Sequence, residues 1–236
     1  VSEIDSSLEL GEVCLLMGNN GIGKTTLIKS ILGQNKLLKG EISINGKSIQ
    51  KLASNEIASQ IAIVFSKAEI PDNYTVTDLI SLGKYIHYPY YFKLNKTDKQ
   101  EIAEIINKLN LSEYQYKKLS ELSDGNLQKA FVGRALAQNS PFIILDEPTA
   151  GLDPLASEIL KNKIIKEKKA GKLIIITSHL LSELDEIVSD IVFMNDGKIL
   201  VHQSVEDLKT QHKTEKISET IVSILKEMRN EKQNLH

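Results

Sequence analysis

The sequence predicts an α/β fold: a mainly parallel sheet core with helices on both sides, a small antiparallel β part, and an inserted α-helical subdomain. Three observations predict it. Short unbroken apolar runs at Val13-Cys14-Leu15-Leu16-Met17, Phe142-Ile143-Ile144-Leu145 and Leu173-Ile174-Ile175-Ile176 have the pattern of buried strands. Helical patterns separate the strands, the alternation that gives a parallel sheet. From about Thr75 to Gln138 the strand signals disappear and the pattern turns helical.

Taken in order, the Val13 strand stops at a glycine-rich stretch, and Thr26 to Leu32 reads as a helix stopped by Gly33. Glu41 to Asn45 alternates apolar and polar residues and meets Asn45-Gly46, a hairpin signal. Ile61 to Phe65 is a further strand. Asp153-Pro154 opens a helix with an Asp cap and a proline in its first turn, and Gly171 closes it. Ile191 to Met194 and Lys198 to Val201 flank Asp196-Gly197 as a second hairpin. In the tail, Ile217, Ile221, Ile224, Leu225 and Met228 share one helix face. The expected organisation is one domain: an α/β core from 1–73 and 139–205, a helical subdomain over 74–138, and a helical tail over 206–236.

The bulk numbers narrow the function. A chain of 236 residues with 41% hydrophobic and 25% charged residues has the composition of a globular protein with a sizeable core. Its net charge of -2 and lack of a long basic block give no support to nucleic-acid binding. No apolar run approaches the roughly 20 residues that span a bilayer, so work at a membrane implies docking on another subunit. The single cysteine, Cys14, excludes an intramolecular disulfide and reads as a small buried hydrophobe.

Two motifs carry the chemistry. Gly18-Asn19-Asn20-Gly21-Ile22-Gly23-Lys24-Thr25 fits G-x-x-x-x-G-K-[ST] between a strand and a helix. Its glycines let successive N–H groups turn inward around phosphate oxygens, and the helix N-terminus that carries Thr25 and Thr26 adds partial positive charge. Lys24 is expected to bridge the β- and γ-phosphates, and the Thr25 hydroxyl to ligate Mg²⁺. The strand at Phe142 ends in Asp146-Glu147. Strand alternation points the two acids differently, Asp146 toward Mg²⁺ and Glu147 toward the γ-phosphate as general base. His179, just past the Leu173 strand, stands at a carboxyl edge, where parallel sheets bind ligands. It is expected to contact the γ-phosphate and orient Glu147 and the attacking water.

With Leu122-Ser123-Asp124-Gly125-Asn126 these residues form a set that resembles the nucleotide-binding subunit of ABC transporters over nearly the whole chain. The resemblance implies the ABC ATPase form of the P-loop NTPase fold, ATP and Mg²⁺ as cofactors, and a head-to-tail pair of such domains. In that pair Ser123 and Gly125 touch ATP held by the partner's phosphate loop. It also implies that Asp153, besides capping a helix, crosses between the two sites. The partners expected are a second ABC ATPase subunit and an integral membrane permease, at the cytoplasmic face of the cell membrane. Three departures stand out. Ser66 occupies the place of a Mg²⁺-sensing glutamine, with a shorter reach to the metal. Asp124 and Asn126 replace the signature's second glycine and last residue. The adenine-stacking aromatic of the family falls before Val1.

The stretch from Tyr74-Thr75-Val76-Thr77 to Lys84-Tyr85 and the Leu122-to-Ala137 region look like importer ATPases for iron–siderophore or related metal chelates. Ser178-His179-Leu180-Leu181-Ser182-Glu183 looks closer to exporter-like ATPases. Import is the favoured expectation, because the helical subdomain faces the membrane partner. A soluble ABC ATPase is the competing class. A small-molecule kinase leaves Leu122-Ser123-Asp124-Gly125 unexplained.

Overall fold

The computed structural model describes residues 1, 4–65, 73–88, 93–149, 152–178 and 186–224. Its main sheet has six strands: β1 (Val13–Met17), β4 (Ile61–Val64), β5 (Phe142–Asp146), β6 (Leu173–Thr177), β7 (Asp190–Asn195) and β8 (Lys198–Ser204), in the order β4-β5-β6-β1-β7-β8. All neighbours are parallel except the β7–β8 hairpin at one edge. A separate small hairpin pairs β2 (Ser43–Ile44) with β3 (Lys47–Ser48). Both hairpins turn through two residues with positive φ, Asn45-Gly46 and Asp196-Gly197, the backbone that matches the twist of antiparallel strands. The predicted α/β architecture, with its small antiparallel part, is borne out.

Every residue of β1 is buried, so the strand shows no polar alternation. Two apolar layers cover the sheet. On one face, Cys14, Leu16, Ile144 and Val192 pack with Ile28 of α1 (Lys24–Ile31) and with Ile57 of α2 (Ser54–Gln60). On the other, Val13, Leu15, Ile143, Leu145, Ile174 and Ile176 pack with α3 (Val76–Leu82), α4 (Lys96–Lys108), α5 (Asp124–Gln138) and α6 (Pro154–Lys169). Ile217, Ile221 and Ile224 of the helical run 217–224 join this second layer, as does Leu208 of α7 (Val205–His212). Leu225 and Met228 lie outside the described residues.

Caps explain where the helices begin. Thr75 accepts from Asp78 N, Asn95 from Asp98 N, Ser123 from Asn126 N and Asp153 from Ala156 N. Helix α1 differs from the expectation. It starts at Lys24, two residues before Thr26, because Gly23 at φ 108° ends the loop. Its N-cap is a glycine, which has no side chain to cap the first-turn N–H groups.

Candidate active site

The parallel register brings the critical chain segments to one edge. Leu16 of β1 pairs with Thr177, and Asp146 of β5 pairs with the same Thr177. The loop after β1, the acids ending β5 and the hydroxyls ending β6 therefore leave the sheet side by side, at its carboxyl edge. Alternation also sets the face. Ile144 and Ile175 pack on the α1 side, so Asp146 and Thr177, two residues further along each strand, project to that side too.

The loop itself is tightly determined. Gly18 has φ 147°, and a Cβ there would lie 2.6 Å from the Met194 carbonyl oxygen and 2.9 Å from Ile22 Cγ2. Only glycine fits that approach. Lys24 is buried, and its Nζ donates to the carbonyls of Gly18 (2.6 Å) and Asn19 (3.2 Å), folding the ammonium back into the loop. Asn19, Asn20, Gly21, Thr25 and Thr26 are exposed, and Ile22 and Gly23 half-buried.

At the end of β5, Asp146 is buried and its Oδ1 accepts from Thr177 Oγ1 at 2.7 Å. Glu147 is half-buried and has left the strand, with φ 49°. A left-handed backbone at this glutamate separates the two acids, where strand alternation was the expected cause. Its N–H donates to the Thr177 backbone oxygen at 3.1 Å and to Thr177 Oγ1 at 2.9 Å. Thr177 escaped the sequence reading. A hydroxyl closing an apolar strand was its only signal, and its register partner is not visible in sequence.

The remaining described candidates are Ser123, Gly125 and Asp153. Ser123 is exposed at the N-cap of α5, with Asp124 exposed beside it and Gly125 in the first turn. Helix α5 packs on the sheet face opposite α1, so the glycine-rich loop leads into a helix on one face and Ser123 opens a helix on the other. Asp153 caps α6 through its Oδ1, 2.8 Å from Ala156 N. Ser66 and His179 lie outside the described residues. Cys14 is buried in β1. Burial first, then Asp190 and Glu12, pushes its thiol well above the ordinary range, so it acts as a packing residue.

These residues suit a nucleoside triphosphate and a hard cation. The loop closes where a Cβ at Gly18 would collide, a buried lysine stands behind it, and uncapped helix N–H groups adjoin it. The Thr25 hydroxyl and the Asp146 carboxylate are the oxygen donors Mg²⁺ prefers.

Fold and site together define a P-loop nucleotide-binding α/β protein. The chain belongs to the ABC transporter family: residues 1–150 match the family model described as ABC transporter. It is an ATPase that binds ATP, as the resemblance implied. It is 30% identical over 202 residues to the manganese transport system ATP-binding protein MntB of Halalkalibacterium halodurans, covering 85% of this chain and 78% of that protein. It is 28% identical over 211 residues to the iron(3+)-hydroxamate import ATP-binding protein FhuC of Bacillus subtilis, covering 89% and 78%. Its fold matches a solved ATP binding subunit of an ABC transporter with a TM-score of 0.82, at 24% identity over 92% of this chain and 89% of that one. No helix among the described residues is long and apolar enough to cross a membrane.

Proposed function

We propose that this ABC transporter ATPase powers import of iron–siderophore or related metal chelates through a separate membrane permease, docked at the cytoplasmic face of the membrane. Relatives named for manganese transport and iron-hydroxamate import support the cargo class. The likeness of residues 178–183 to exporter-like ATPases favours the competing reading. A permease and a chelate-binding protein encoded beside this chain agree with import. An exporter membrane subunit there removes it.

The chemistry is hydrolysis of the γ-phosphate. Gly18, Asn19, Asn20, Gly21, Ile22, Gly23 and Thr26 enclose the phosphates, and Lys24 turns its ammonium from the loop carbonyls to phosphate oxygens. Thr25 and Asp146, with Ser66 as a third candidate, would hold Mg²⁺, which when bound offsets the negative charge of the β- and γ-phosphate oxygens. Glu147 takes a proton from water as its oxygen bonds to the γ-phosphorus and the bond to the β-phosphate oxygen breaks, releasing ADP. His179 orients that water. Ser123 and Gly125 close on the γ-phosphate of a second copy, with Asp153 crossing between the two sites.

The observation that carries this reading is that α1 packs on the sheet face to which the buried Asp146 projects, with Glu147 at the strand end. It is tested with Glu147→Gln. The variant is expected to bind ATP with near wild-type affinity, hydrolyse it about 10²–10⁴ times more slowly, and accumulate as an ATP-dependent dimer in size-exclusion chromatography. Unchanged turnover removes Glu147 from its role.

A further inference from the structure

We propose that Thr177 is a positioning residue for hydrolysis, a single hydroxyl that sets the conformation of both acids at once; this rests on the roles given above to Asp146 and Glu147. The side chain is fully buried, at 0% exposure, and sits opposite Asp146 in the parallel register of β5 and β6. Its one proton goes to Asp146 Oδ1 at 2.7 Å, and its oxygen accepts the Glu147 N–H at 2.9 Å. A hydroxyl donates and accepts strongly through one atom in this way. Valine has the same shape and can do neither.

The two bonds solve different problems. The first fixes the rotation of a buried carboxylate, committing one oxygen to the protein and leaving the other for the metal side. The second holds a backbone that the chain otherwise resists. Glu147 has φ 49°, uncommon for a residue with a Cβ, and Pro148 follows it, which disfavours the right-handed helical alternative. The Glu147 N–H is shared between the Thr177 carbonyl and the Thr177 hydroxyl, so both parts of one residue hold the peptide. Strain at a reacting group persists where the surroundings over-determine it. Without the hydroxyl, Asp146 loses a buried donor and the left-handed turn at Glu147 loses one of the two acceptors that fix it.

Steady-state ATP hydrolysis and fluorescent-nucleotide binding on the whole chain test this, with Thr177→Val, Thr177→Ser and Glu147→Gln measured together. Thr177→Val is expected to lower kcat about 10–10²-fold, the cost of displacing a reacting group by about 1 Å, and to change nucleotide affinity less than about twofold. It is also expected to need more Mg²⁺ for half-maximal rate. Thr177→Ser, which keeps the hydroxyl, is expected to restore kcat to within about threefold. A purely structural role moves the two variants together in proportion to lost folded protein, read by near-ultraviolet circular dichroism. Wild-type kcat in Thr177→Val, or equal losses in the valine and serine variants, overturns the proposal. If the valine variant does not fold, Thr177→Ala, which removes both the donor and the acceptor, replaces it, and an alanine variant as fast as wild type overturns the proposal equally. Wild-type turnover in Glu147→Gln sinks the reading of the site itself. An inactive Glu147→Gln beside a fully active Thr177→Val sinks only the role of Thr177.

Discussion

Arg134 Nη2 of α5 donates to the backbone oxygen of Ile63 across 2.9 Å, and one helical turn later Gln138 Nε2 donates to the backbone oxygen of Ile61, also at 2.9 Å. Strand β4 is an edge of the sheet, so one side of its backbone has no strand partner. Residues four apart on a helix advance about 6 Å, and carbonyls two apart on a strand about 6.6 Å. The two spacings match, and α5 is fastened along the open edge by two side-chain donors. Gln138 adds a bond to Ala58 O at 2.6 Å.

Replacing Arg134 by alanine is therefore expected to cost about 2 kcal/mol, the scale of a charged hydrogen bond, and to lower Tm by about 4–8 °C. Thermal unfolding followed by circular dichroism measures it. An unchanged Tm means that water serves the β4 edge as well as the guanidinium does.

Lys24→Ala removes the ammonium that Gly18 O and Asn19 O now hold, and with it the charge proposed to meet the phosphates. ATP affinity is expected to fall about 10–10²-fold, the size of one or two charge-assisted hydrogen bonds. Titration with a fluorescent nucleotide reads this directly. Near wild-type affinity counts against the phosphate loop as the grip on ATP.

Ser123 caps α5 and is proposed to meet the γ-phosphate of a second copy. Ser123→Asp separates these roles, because aspartate caps a helix as well as serine but places a negative charge against phosphate. Tm is expected to stay within about 2 °C of wild type, ATP binding to persist, and the ATP-dependent dimer of Glu147→Gln to disappear. A persistent dimer places the signature away from the nucleotide.

Glu167 pairs with Lys163 one turn earlier in α6 at 3.0 Å, and with Lys172, the residue before β6, at 2.7 Å. Burial alone pushes its carboxyl up, but hydrogen bonds and charge from Lys172 and Lys163 outweigh it, and the folded group titrates below the ordinary 4.5. Its stabilisation is thus complete above pH 4.5 and fades as pH falls through the lower folded value. Glu167→Gln is expected to lower stability by about 1 kcal/mol at pH 7, with the difference from wild type vanishing in strong acid. Urea unfolding across pH measures it. A difference that grows toward low pH contradicts the ion-pair account.

Much of the fold was legible because its signals are local. Asn45-Gly46 and Asp196-Gly197 announced both hairpins, since few residues accept positive φ at two successive positions. Asp153-Pro154 marked the start of α6 for the same kind of reason, a cap and a fixed φ. The start of α1 was misplaced by two residues, because only the built loop shows Gly23 in the left-handed region and Lys24 already helical.

By itself, the sequence determined the strands, the start of α6 at its Asp153 cap, the glycine-rich loop and the pair Asp146-Glu147, all of which follow from side-chain pattern and backbone preference within a few residues. Only the tertiary structure decided that Thr177 lies opposite Asp146, that Glu147 turns left-handed, that Met194 closes on Gly18, and that α1 and α5 take opposite faces of the sheet. Those facts depend on strand order and register. Segments far apart in the chain settle both by burying one another's apolar surface, a competition that no short stretch of sequence contains.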